Sequence, residues 1–161
     1  MTTNKIARIS MLLAISVVLG LIESYIPIFN VIPGVKLGLA NIVIVYAIYK
    51  YSFKDALYIS ILRVFLVGLL RSGLFSITFF FSLSGALLSL IFMYLFKKYT
   101  KLSVIGVSII GAISHSIGQI IIAVIFLSNI NIIYYFPILL LSSIITGIIV
   151  GMLSKKIIEY A

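Results

Sequence analysis

The chain has 161 residues, 63% of them hydrophobic and 9% charged, with a net charge of +9 and a mean hydropathy of +1.35. Soluble domains carry roughly 25% charged residues. A soluble enzyme is therefore excluded, and the length fits a single transmembrane domain over 1–161. No cysteine is present, which removes disulfides, thiolate metal sites and cysteine nucleophiles.

Apolar runs close to the ~20 residues that cross a ~30 Å hydrocarbon layer recur along the chain. They are continuous rather than alternating, so they predict helices and not an outer-membrane barrel. The expected fold is an all-α integral membrane protein, a bundle of about six transmembrane helices. Basic residues gather at the ends of alternate runs: Lys5 and Arg8, Lys50 and Lys54, Lys97, Lys98 and Lys101, Lys155 and Lys156. That is the positive-inside pattern, and an even number of spans then puts both termini in the cytoplasm. The positive charge is thus assigned to an anionic bilayer surface as partner, not to nucleic acid.

The first span is expected over about Ile6 to Ile26. It lacks a small-residue cleavage site after its apolar core, so it reads as a retained helix rather than a signal peptide. Ser10 and Ala14 lie four apart, and Ser16, Gly20 and Ser24 form a second small row. Small residues at this spacing let helices approach closely in lipid. They suit packing within the bundle or, at Ser10 and Ala14, docking of another membrane subunit. The connection Pro27 to Lys36 holds two prolines and a glycine, which stop helix continuation. It is otherwise apolar, so it is expected to fold over the bundle as a cap, with Lys36 at its end.

Span two, about Leu37 to Tyr49, is short for a crossing and carries Asn41. Span three, about Phe53 to Leu70, holds Arg63 near its middle. A cation at mid-bilayer costs from about 3 to more than 10 kcal/mol, so it must face a protein interior, a wet cavity or a counter-charge. Glu23, near the end of span one, is the competing structural partner. Arg71-Ser72-Gly73 leaves room only for a tight turn before span four, about Leu74 to Phe96.

Span four carries Thr78, Ser82, Gly85 and Ser89 at helical spacing. Such hydroxyls can satisfy their own helix backbone; Ser82 is the one taken into the candidate site. Span five, about Leu102 to Leu127, carries Ser108, Gly111, His115, Gly118 and Gln119. His115 and Gln119 lie one turn apart on one face. An imidazole and a carboxamide together offer paired donors and acceptors for a ligand carbonyl or heterocycle. Span six, about Ile132 to Leu153, contains Gly147-Ile-Ile-Val-Gly151, read as close helix packing, and begins with Tyr134 and Tyr135 as interface anchors.

Candidate ligand contacts are therefore Lys36, Asn41, Arg63, Ser82, His115 and Gln119. No catalytic residue, metal site or cofactor is assigned. One histidine and three acidic residues spread along the chain do not make a hydrolase site or a magnesium-binding carboxylate cluster. The expectation is a protein that is not an enzyme by itself.

Pro33-Gly34-Val-Lys36-Leu-Gly38-Leu-Ala40-Asn41, Leu62-Arg63-Val64, Phe81-Ser82-Leu83-Ser84-Gly85 and Ser114-His115-Ser116-Ile117-Gly118-Gln119 carry a resemblance. Across nearly its whole length the chain resembles the Gx transporter family, often labelled heptaprenyl diphosphate synthase component I. That family is similar in fold to the substrate-binding S components of energy-coupling factor transporters. The resemblance implies an S-component-like protein of the bacterial plasma membrane that captures a small vitamin-, flavin- or quinone-like molecule from outside. It implies a membrane coupling subunit with ATPases as partners, with Ser10 and Ala14 the nearest match to a docking motif. The alternative it leaves is a non-catalytic membrane subunit of an isoprenoid, quinone or flavin-linked electron-transfer system.

Overall fold

A computed structural model describes residues 3–25 and 37–160. These form six α-helices: α1 (Thr3–Tyr25), α2 (Leu39–Lys50), α3 (Phe53–Val67), α4 (Ile77–Tyr99), α5 (Val104–Leu127) and α6 (Phe136–Tyr160). The described residues contain no strand. A π-helical turn, Gly68–Ser72, follows α3, and a 3-10 run, Ile130–Tyr135, precedes α6. The expected connection before α2, and with it Lys36 and the cap, lies outside the described residues.

Serines start three of the helices. Ser52, Ser76 and Ser103 each accept the backbone N–H three residues on, opening α3, α4 and α5. At α3 this is a full capping box, because the Asp55 carboxylate returns to the Ser52 backbone N–H. Asp55 also pairs with Lys5 at 2.8 Å, tying the start of α1 to the start of α3. Lys97 Nζ donates to the Ile48 carbonyl at 2.6 Å and sits 4.6 Å from the centre of the Tyr49 ring, closing the C-terminal end of α2.

Four segments are long and apolar enough to cross a membrane: α1, α4, α5 and Ile130–Tyr160, the last including α6. This is a multi-pass membrane protein. The shortness of α2 agrees with the sequence expectation, whereas α3 ends three residues before its expected limit at Leu70. With 12 residues, α2 reaches only about 18 Å. Burial explains how so short a helix fits: α1, α3 and α6 pack around it, and Ile44, Val45, Ala47 and Ile48 are almost wholly covered. A helix covered by its neighbours over most of its surface need not match the bilayer thickness. The helix α3 stops at Val67, and its last turn widens into the π turn that carries Arg71.

Small residues set the other half of the bundle. A β-carbon added at Gly118 would meet the Ser84 carbonyl at 2.8 Å, and one at Gly111 would meet Met93. On the opposite side of α5, β-carbons at Gly147 and Gly151 would meet the backbones of Ile109 and Ile105 at 2.8 and 2.7 Å. The Gly147–Gly151 pair thus packs α6 against α5 within the chain. Ser84 Oγ donates to the Gly118 carbonyl, and Ser116 and Ser143 share a buried 2.6 Å hydrogen bond, pinning α4 and α6 to α5.

Candidate functional site

Arg63 is 8% exposed, and its Nη1 donates to Asn41 Oδ1 at 3.1 Å. The amide thus takes the partner role that the sequence offered to Glu23. Glu23 is itself buried, but its Oε1 accepts the Gly38 N–H at 2.6 Å. The ion pairs among the described residues are Lys5–Asp55 and Lys155–Glu159, so Arg63 and Glu23 are not a contact pair. Gly38 has φ 74°, a left-handed conformation in which a side chain is strained, and this geometry turns its N–H toward α1. Asn41 N–H donates to the Gly38 carbonyl at 2.8 Å. A polar chain thus runs from α1 through the start of α2 to Arg63 on α3.

This chain borders a cavity of about 590 Å³. Arg63, Asn41, Ser82, His115 and Gln119 all line it, together with Glu23 and Arg71. Lys36 lies outside the described residues, so its place is not part of this geometry. Its lining begins at the end of α1, the start of α2, the π turn and the start of α4. It continues inward past Ser89, Met93, Ser108 and Val150. Its size falls in the range of small-molecule pockets, roughly 300–1,000 Å³.

His115 reaches this space because α4 has no side chain in its way. A β-carbon at Gly85 would lie 2.8 Å from the imidazole. One turn further along α5, Gln119 is 5% exposed, and its Oε1 has no hydrogen-bond partner among the described residues. Ser89 Oγ, deeper in the cavity, is equally unpartnered. A buried polar group without a partner costs about 1–3 kcal/mol. Two lining one cavity, from α5 and α4, mark places that water or a ligand would fill.

Sequence reasoning missed the α6 wall. Ser142, Ser143, Thr146 and Gly147 line the cavity, at the helical spacing that would have signalled one face. In α1 the two small rows divide. Ser16 is buried, Gly20 packs toward Val67 and Ala40, and Ser24 lines the cavity, whereas Ser10 and Ala14 are exposed.

Residues 12–157 match the family model described as heptaprenyl diphosphate synthase component I. The chain belongs to this family. No curated protein and no solved structure matched it. The matched stretch takes in Asn41, Arg63, Ser82, His115 and Gln119, so the whole described cavity wall lies within the component I region. Within that region, no three histidine or acidic side chains among the described residues come together as a metal site.

Proposed function

We propose that this chain is the membrane-embedded substrate-binding subunit of a transporter, S-component-like, in a bacterial plasma membrane. The observation that carries the reading is the shared cavity: a buried guanidinium, two carboxamides, a hydroxyl and an imidazole meet in about 590 Å³. Burying so many polar side chains within a membrane protein is costly, and a polar chamber offsets the cost. The substrate is a small vitamin-, flavin- or quinone-like molecule, entering at the lysine-poor end, where the end of α1 and the starts of α2 and α4 line the cavity. Arg63, Asn41, Ser82, His115 and Gln119 contact it, with Lys36 at the entrance. The transmembrane domain has both termini cytoplasmic. Energy comes from a membrane coupling subunit with ATPases, and the exposed Ser10–Ala14 face of α1 is the docking surface.

The family description favours a second reading, a non-catalytic subunit of an isoprenoid-forming system that works beside a second component. Here Lys36, Arg63 and Arg71 hold a prenyl diphosphate while the partner supplies the carboxylates. Thermal unfolding of the purified protein against vitamins, flavins, quinones and prenyl phosphates separates the two. The transporter reading expects stabilisation by a member of the first three classes, reduced by Arg63→Ala and His115→Ala. If both variants leave every shift unchanged, the site assignment fails.

A further inference from the structure

We infer that the cavity is built for an organic monoanion whose far end carries a hydrogen-bond donor. The inference rests on the binding-subunit reading and adds the ligand's charge and orientation. A guanidinium has five N–H donors in a planar fork matched to a carboxylate. Arg63 spends one of them on the neutral amide of Asn41, and no carboxylate among the described residues contacts it. Arg63 is buried and lines the cavity.

Charge sets the valence. The described wall carries three charged side chains, Glu23, Arg63 and Arg71. Arg71 is exposed and stacks 5.5 Å from the Tyr25 ring centre, so Glu23 and Arg63 are the buried charges and Arg63 is the anchor. One buried guanidinium against one buried carboxylate leaves no surplus charge among the described residues of the wall. A monoanion is then accommodated at far lower cost than a diphosphate, which would make the wall strongly negative in a low-dielectric setting.

A separate observation fixes the other end. Gln119 Oε1 is a buried acceptor without a partner, lining the same space from α5. A ligand ring N–H or O–H satisfies it. Phe79, Val64 and Val67 line the cavity as well and supply apolar wall. The molecule that fits has a carboxylate at Arg63, an apolar body, and a donor directed at Gln119.

The test uses the full-length purified chain in detergent. The probes are indole-3-propionate and 4-hydroxyphenylpropionate, each beside its carboxamide and its N- or O-methyl derivative, with farnesyl diphosphate as the multivalent anion. Thermal unfolding titrations should give the acids about tenfold tighter apparent affinity than their carboxamides, the ratio expected for exchanging a charge-assisted contact for a neutral one. Methylating the donor should weaken binding to the wild-type protein but not to Gln119→Met. Arg63→Met should erase the difference between acid and carboxamide. Equal binding of acid and carboxamide, tighter binding of farnesyl diphosphate, or no binding of either acid overturns the monoanion assignment. The binding-subunit reading survives those results if another compound class stabilises the protein through Arg63 and His115, so the two failures are distinguishable.

Discussion

Gly85 and Gly118 show how single positions shape the site. Both lie on the seam between α4 and α5, and a β-carbon at either would come within about 3 Å of a neighbour. Their neighbours differ in kind. Gly118 faces the backbone of Ser84 and Gly85, which cannot yield without parting the helices. Gly85 faces the His115 ring, which can swing into the cavity. Gly118→Ala is therefore expected to destabilise by about 1–3 kcal/mol, the usual cost of overpacking. Gly85→Ala should cost less stability while displacing the imidazole and weakening ligand binding. Parallel unfolding and ligand-shift measurements check the contrast. Equal stability losses with unaltered binding would mean that the imidazole is not held over Gly85 as described. Arg63 teaches a related lesson. Its burial was legible in the sequence, because a guanidinium within an apolar run has few alternatives. Its partner was not, because sequence alone does not reveal that Glu23 is taken by the Gly38 backbone.

Among the elements, α1, α4, α5 and α6 were legible because long apolar runs bounded by lysines or turn residues admit few readings. The helices α2 and α3 were legible as helices, while the reason for their shortness was not. It lies in how neighbours surround α2, a property of the assembled bundle. The π turn escaped too; it begins at Gly68, where a β-carbon would meet the Phe79 ring at 2.8 Å, a contact between elements that the sequence does not display. The serines of α6 were ambiguous for a chemical reason: Ser142 and Ser143 both donate to the Leu139 carbonyl, so their spacing alone does not mark a wall. The glycine pair of α6 makes the packing testable. Gly147→Leu would drive a side chain into the Ile109 backbone and strain the Ser116–Ser143 bond. A loss of about 1–3 kcal/mol is expected. The exposed Ile149→Leu, one turn face away, should stay within about 0.5 kcal/mol. If Gly147→Leu instead left stability intact and abolished a dimer, the pair would serve association between chains.

At the level of the whole molecule, charge and shape agree on direction. The starts of α1 and α3 and the ends of α2, α4 and α6 carry Lys5, Arg8, Lys50, Lys54, Lys97, Lys98, Lys155 and Lys156, with Lys101 just beyond α4. The opposite ends of α1 to α4 line the cavity, and Arg71 is the basic residue there among those described. In the proposed orientation, which follows the positive-inside rule, the lysine-rich end faces the cytoplasm and the Arg71 end faces outward. The native chain has no cysteine, so single cysteines can report sidedness without background. Lys54→Cys and Thr100→Cys, both exposed at the lysine-rich end, should react with a membrane-impermeant maleimide only after the membrane is permeabilised. Leu74→Cys and Asn131→Cys, exposed at the other end, should react in intact cells. Lys54 and Leu74 flank α3, the helix too short and too charged to pass as a span by composition. Labelling of both from one side would show that α3 does not cross the bilayer. Labelling from opposite sides requires α3 to cross, and so carries Arg63 into the membrane interior.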